Sequence, residues 1–314
     1  MTSFQGINYY TGKGKTVLTI GTFDGVHKGH QQIIHYLVET AKQENCNSLI
    51  LTFFPHPRLV LQGDTSIHLL NTIEERKALL AKTGVDHLII HPFDEAFSSL
   101  SAEEFIESVL VKKLNVQQII VGHDHRFGKN RTANFHDLVA YGKKYGFLVT
   151  QIAAEMLNEV NISSTKIRTA LQQGDIKLAN DYLGHAYTLN GQVQKGQQLG
   201  RTLGFPTANL AVAESYKLIP KNGVYLVQSI LNQKRVFGLM NIGIRPTVDG
   251  KTQTIEVFYL DFEGDLYDQN LQVELLDFIR DEQKFDSLDA LKIQLEKDKA
   301  WAIQAIAARQ QLAK

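Results

Sequence analysis

A single cysteine, Cys46, in 314 residues rules out an internal disulfide and leaves thiol redox chemistry without a partner. An excess of charge of either sign is also missing. The 33 basic and 33 acidic side chains cancel, which excludes bulk attraction to nucleic acid or to an anionic membrane, so any nucleotide is bound locally. No run approaches the roughly 18 apolar residues of a membrane span. The opening Met1-Thr2-Ser3-Phe4-Gln5 has neither the basic nor the apolar segment of a signal peptide, and a cytoplasmic protein is expected. Core material is present in ordinary amount, 43% hydrophobic residues over a length that suits two domains.

Neither common nucleotide fingerprint is present in clean form. No Lys-Ser or Lys-Thr closes a P-loop, and there is no regular G-x-G-x-x-G. Instead a strand-like Val17-Leu18-Thr19-Ile20 opens into Gly21-Thr22-Phe23-Asp24-Gly25-Val26-His27-Lys28-Gly29-His30, with a helix expected over about Gln31 to Gln43. Glycines let backbone N–H groups approach phosphate oxygens, and the helix directs its positive end at the same anion. His27 and His30, three apart, share a face and can donate hydrogen bonds to charge developing on phosphoryl oxygens. As a zinc pair they lack further donors at structural-zinc spacing.

From residue 17 to about 183, short aliphatic runs alternate with helical stretches. Strands are expected at Ser48 to Phe53, His87 to His91, Gln118 to Gly122 and Phe147 to Gln151, with helices at Ile73 to Lys82, Ala102 to Leu114 and Asn134 to Tyr145. Such alternation predicts an α/β fold with a parallel sheet covered on both faces, whose ligands bind beyond the carboxyl ends of the strands. Near the end of this half, Ser163, Ser164 and Thr165 precede a helix carrying Arg168. These residues suit a helix cap and equally a clasp on phosphate oxygens.

After about residue 186 the pattern changes to short strands and glycine turns without intervening helices, which predicts an antiparallel barrel or sandwich, closed by an amphipathic helix over Leu288 to Ala307. Gly196, Gly200 and Gly204 suit a loop over phosphates, and also ordinary barrel turns. Thr207 and Asn209, two apart, face one side if extended and offer neutral oxygens to a magnesium ion associated with ATP. Glu256 interrupts an apolar strand. On the face it shares with Phe258 it is placed either in a ligand cavity, where it could take a hydroxyl proton, or toward solvent.

Together these segments resemble the prokaryotic bifunctional riboflavin kinase and FAD synthetase family from about Val17 to Trp301. The strongest matches are Gly21 to His30, Thr52-Phe53-Phe54-Pro55-His56-Pro57, Gly122 to Gly128, Ile162 to Arg168, Leu203-Gly204-Phe205-Pro206-Thr207-Ala208-Asn209 and Asn241-Ile242-Gly243-Ile244-Arg245-Pro246-Thr247. The resemblance implies a Rossmann-like nucleotidylyltransferase domain over 1–183, joining FMN to the AMP part of ATP and releasing pyrophosphate. It also implies a Greek-key β-barrel riboflavin kinase domain with a terminal helix over 184–314. Carried over by match, His27, His30 and Arg168 act in adenylyl transfer and Glu256 as the kinase base. Gly21, Phe23, Asp24, Gly25, Asp124, Phe127, Ser163, Ser164 and Thr165 bind nucleotide or flavin, and Gly196, Gly200, Gly204, Thr207 and Asn209 bind Mg-ATP, with Thr207 and Asn209 toward Mg2+. The partners implied are riboflavin, FMN, FAD and ATP, with no nucleic acid and no membrane, and a monomer or weak homo-oligomer is expected. His125 and Arg131-Thr132-Ala133 depart from the family pattern, which implies an altered loop over FMN. Two other functions remain open: a riboflavin kinase with weakened adenylyl transfer, and a flavin-binding regulator without turnover.

Overall fold

Val17 and Leu18 are fully buried and have no polar atoms beyond the backbone, so the segment gains most as the middle strand of a sheet. In the computed structural model, which describes residues 1–62, 67–122, 126–129, 132–152, 162–196, 200, 203–247 and 250–312, it forms β2 (Thr16–Ile20). Its neighbours are β3 (Asn47–Phe53) and β5 (Val116–Val121), both parallel to it. The sheet has the order β1-β4-β3-β2-β5-β6, with β1 (Thr2–Phe4), β4 (His87–His91) and β6 (Leu148–Gln151) completing it. All pairings are parallel. The chain moves outward from β2 through β3 to β4 and then returns to the other side of β2, so the strand order reverses between β2 and β5, where such sheets bind ligands.

The helices of this unit are α1 (Lys28–Gln43), α2 (Pro57–Gln62), α3 (Ile73–Ala81), α4 (Glu95–Ser98), α5 (Ala102–Glu104) and α6 (Phe135–Tyr145). The predicted helix over 102–114 is α5 continued by a π-helical stretch, Phe105–Val111. Capping boxes at Thr72/Glu75, Ser101/Glu104 and Asn134/Asp137 fix three of the helix starts. One core cluster on the sheet joins Leu49, Leu51, Ile89, Ile106 and Leu110. Another joins Val17, Ile34, Leu37, Ile50 and Ile120, so both faces are covered.

The described residues divide into two compact units, Met1–Ser164 and Thr165–Lys314. The second opens with α7 (Ser164–Gln173), which starts at the last residue of the first unit, and α8 (Ile176–Leu183). Six antiparallel strands follow: β7 (Tyr187–Gln194), β8 (Ala208–Ala211), β9 (Gly223–Leu231), β10 (Lys234–Thr247), β11 (Gly250–Tyr259) and β12 (Asn270–Arg280). They close into a barrel in the order β10-β11-β8-β7-β12-β9. β12 returns to lie between β7 and β9, the long connection of a Greek key. The terminal helix α9 (Leu288–Leu312) packs Ala302 against Val224, Leu226, Leu239 and Leu260 on the outside of the wall. Arg280 of β12 grips Asp298 of that helix through Nε (3.0 Å) and Nη2 (2.7 Å), a two-pronged pair whose carboxylate is 3% exposed.

Candidate active sites

The turn after β2 is tightly folded, with positive φ at Phe23 (49°), Gly25 (89°) and Val26 (41°). Asp24 holds it. Its carboxylate, 1% exposed, accepts backbone N–H bonds from Leu70 (3.0 Å) and Asn71 (3.2 Å) and lies 3.6 Å from the guanidinium of Arg76, also 1% exposed. The turn is thereby fastened to the start of α3, an arrangement the sequence pattern did not signal. Gly21 leaves room for the Phe23 ring, which meets His30 edge-on at 5.1 Å.

His27 is the N-cap of α1, and its Nδ1 accepts the backbone N–H of His30 at 3.3 Å. An accepting Nδ1 fixes the proton of the neutral ring on Nε2, so the far edge of His27 is a donor. The His27 and His30 rings stack at 3.6 Å with 18° between planes. Gly29 makes this possible, because a Cβ there would press on the His27 ring at 3.3 Å. Burial first, then the neighbouring His27 and Arg76, hold the His30 pKa well below the usual imidazole value. His30 is therefore neutral at pH 7. Its Nδ1 is buried without a hydrogen-bond partner among the described residues.

Ser164 comes to the same turn, its hydroxyl donating to the backbone oxygen of Asp24 at 2.9 Å. Ser164 and Thr165 are inside the first turn of α7 and only Ser163 precedes it, so the three hydroxyls are not all ahead of the helix. Arg168, four residues on, shares the face of α7 that carries Ser164. Phe127 is 7% exposed and packs into the core beside Phe105, in a short bridge with Ala133. Asp124, His125 and Arg131 lie outside the described residues. A cleft of about 470 Å³, lined by Lys28, Gln31, Gln32, His35, Tyr36 and Ile152, runs along α1.

In the barrel unit, Glu256 sits directly opposite Asn209 of β8, and Thr207 donates its hydroxyl to Glu256 Oε2 at 3.1 Å. Thr207 and Asn209, named from their spacing, and Glu256, named because it interrupts an apolar strand, are thus in one place. The backbone of Gly196 lies against the Asn209 amide, and that of Gly200 against the carbonyl of Phe205, too close in each case for a Cβ. Phe205 accordingly closes its N–H onto Gly200 O at 2.8 Å and packs on Phe258 at 5.0 Å. Gly204, at φ 84°, turns the chain just ahead of it. The Glu256 and Phe258 face is the outer face of the wall, the one that carries the terminal helix. The interior is filled by Val257, Met240 and Tyr225 on the alternate face. A second cleft, about 260 Å³, opens by Thr207 and is lined by Val193, Tyr259, Phe262, Asp265 and Tyr267 among others.

No cluster of three or more His, Cys, Asp or Glu side chains that could hold a metal ion occurs among the described residues. The Thr207, Asn209 and Glu256 group is a set of hard oxygen donors. It fits a magnesium ion that keeps water and phosphate as its remaining ligands.

The FAD synthetase family matches residues 11–166 and the riboflavin kinase family residues 183–306. The bifunctional riboflavin kinase/FMN adenylyltransferase of Escherichia coli K12 is 41% identical over 287 residues, covering 91% of each chain. The chain belongs to this family. The enzyme of the same description from Haemophilus influenzae is 40% identical over 282 residues, covering 90% of this chain and 91% of that one. The Listeria monocytogenes enzyme is 38% identical over 284 residues and 90% of each. A solved structure described as a macrolide-efflux protein from Streptococcus pneumoniae superposes with a TM-score of 0.85 at 31% identity, over 95% of this chain and 97% of that one. Among the described residues no helix is long and apolar enough to cross a membrane.

Proposed function

We infer that the chain makes FAD from riboflavin in two ATP-dependent steps, phosphorylation to FMN in the barrel and adenylylation of FMN at the sheet. The observation that carries this reading is the contact of Thr207 with Glu256 opposite Asn209, in a chain that also stacks His27 on His30. Membership of a family with both activities supports it. We place the functional division at 183/184.

In the first step the terminal ribityl hydroxyl of riboflavin attacks the γ-phosphorus of ATP, ADP leaves, and the hydroxyl proton passes to the Glu256 carboxylate. Thr207 orients that carboxylate. Thr207 and Asn209 hold Mg2+, which neutralises phosphate charge when bound, and the Gly196 to Gly204 loop covers the phosphates. In the second step a phosphate oxygen of FMN attacks the α-phosphorus of a second ATP and pyrophosphate leaves. The Nε2–H of His27, with neutral His30 behind it, meets the charge that develops on the phosphoryl oxygens, and Ser163, Ser164, Thr165 and Arg168 bind the departing phosphates. Asp24 acts at one remove, by holding the turn.

The test is to incubate the protein with riboflavin, ATP and magnesium and to separate the flavins over time, then to repeat from FMN. FMN appearing before FAD, with FAD also formed from supplied FMN, supports both steps. FMN alone favours a kinase with weakened adenylyl transfer. Flavin binding without ATP consumption favours a regulator.

A further inference from the structure

The polar row on the outer wall of the barrel does not end at Glu256. The register places Asn209 of β8 opposite Glu256 of β11, Glu256 opposite Asn241 of β10, and Asn241 opposite Val224 of β9. Residues directly opposite across antiparallel strands point to one face with Cβ atoms about 5 Å apart. Asn241 is half-buried, and its amide makes no side-chain hydrogen bond among the described residues. Gly243, two residues on and therefore on the same face, leaves room for the Glu282 carboxylate to lie against the strand beside Asn241. A Cβ there would meet both the Glu282 carboxylate and, at 3.1 Å, Nδ2 of Asn241. Glu282 is itself occupied, accepting the backbone N–H of Ile244 at 3.3 Å and facing the Asn222 amide at 3.4 Å.

A half-buried amide whose donor and acceptor find no partner among the described residues, one strand from a carboxylate assigned to a hydroxyl proton, is suited to a neighbouring hydroxyl. Beyond it the row turns apolar at Val224, which packs with Leu226, Leu239 and Ala302. We infer that Asn241 is a specificity-determining ligand of the kinase substrate, hydrogen-bonding the chain hydroxyl next to the one phosphorylated at Glu256, so that the site selects a polyol over a simple alcohol. The inference rests on the proposed kinase reaction at Glu256. Successive hydroxyls of a polyol chain are spaced closely enough to engage both strands, whereas a chain with only a terminal hydroxyl leaves the Asn241 amide unpaired.

The test uses the full-length protein with Asn241→Ala and Asn241→Ser. Two substrates are compared, riboflavin and a flavin analogue whose N10 chain keeps the terminal hydroxyl alone. The expected result is a loss of about tenfold in kcat/KM for riboflavin in Asn241→Ala, the scale of one neutral hydrogen bond, with little change for the analogue and an unchanged KM for ATP. Asn241→Ser, which keeps a hydroxyl donor and acceptor, recovers part of the preference for riboflavin. FAD formation from supplied FMN together with an unaltered circular dichroism spectrum reports a folded chain. Equal losses on both substrates, no loss on riboflavin, or a change confined to the KM for ATP would overturn the assignment. If Asn241→Ala does not fold, the same comparison in Asn241→Ser decides. A wild-type protein that fails to phosphorylate riboflavin would instead remove the kinase reading on which the assignment depends.

Discussion

His27 uses one ring nitrogen to cap α1 and thereby sets the proton on the other. Replacing it by Ala removes a cap and a donor together, while His30→Ala removes the stacked partner and leaves the cap. Each is expected to lower FAD formation by about 10²–10³-fold, the usual effect of losing a transition-state donor, with riboflavin phosphorylation unchanged. Chromatography of flavins from reactions started with riboflavin and with FMN checks both. Glu256→Gln is expected to do the reverse, lowering FMN formation by at least about 10²-fold while FAD formation from supplied FMN persists. The buried His30 also makes stability depend on pH. Its folded pKa lies well below 6.5, so as pH falls through 6.5 the unfolded chain takes up a proton at this position that the folded chain refuses. Stability from this residue is complete above that value, declines as pH drops toward the lowered folded pKa, and then levels off. His87 and His91 are lowered by burial too, so the comparison with His30→Gln isolates the effect. The wild type should lose Tm more steeply between pH 7 and lower pH, and equal slopes would rule this out. At this scale the histidine spacing and the Thr207, Asn209 pair were legible in the sequence, because both are local patterns. It did not reveal what Asp24 does, since Leu70 donates to it from 46 residues away and Arg76 from farther still.

Strands and helices set which of those side chains meet. Alternation along β11 fixes Glu256 and Phe258 on one face, but whether that face looks into the barrel or out of it depends on which strands lie beside β11. Periodicity carries no such information, because β10 is the hairpin neighbour of β11 but β8 joins it from a distant part of the chain, Asn209 pairing with Glu256. The same holds for β1, a three-residue strand too short for a periodic signal, which finds its place by pairing with β4. Helix positions were easier to read, since Ile73–Ala81 and Phe135–Tyr145 carry their start signals in the adjacent capping residues. The fastening of α3 to the β2–α1 turn gives a prediction that belongs here. Arg76→Met strands the Asp24 carboxylate away from water, and is expected to destabilise the first unit by about 3 kcal/mol, measured as the shift in urea unfolding. The loss should be accompanied by lower FAD formation, since the turn that orients His27 loosens with it. A stable variant with normal FAD formation would show that the backbone bonds from Leu70 and Asn71 suffice.

For the molecule as a whole, the order of the motifs was legible and the two fold classes followed from the change of periodicity near residue 186. The division into compact units at Ser164/Thr165 was not, because α7 and α8 read as a continuation of the first half while Leu171 and Asn180 bond to Lys221 and Leu275 of the barrel unit. With two reactions in one chain, FMN is both product and substrate. We predict that it passes between them through solvent: unlabelled FMN added to a reaction making labelled FMN should dilute the label in FAD in proportion. Label that enters FAD undiluted at every protein concentration would reject this. The barrel has a further consequence, for the chain as it is made. β12 is the strand that pairs with both β7 and β9, and it comes last of the six. Until Asn270 and the residues after it have left the ribosome, β7 and β9 each present an unpaired edge, whereas every strand of the parallel sheet is already available by Gln151. Chains cut short before β12 should therefore accumulate as aggregates that carry a formed sheet unit, and the interval between those two points of synthesis is when the nascent protein most needs a chaperone.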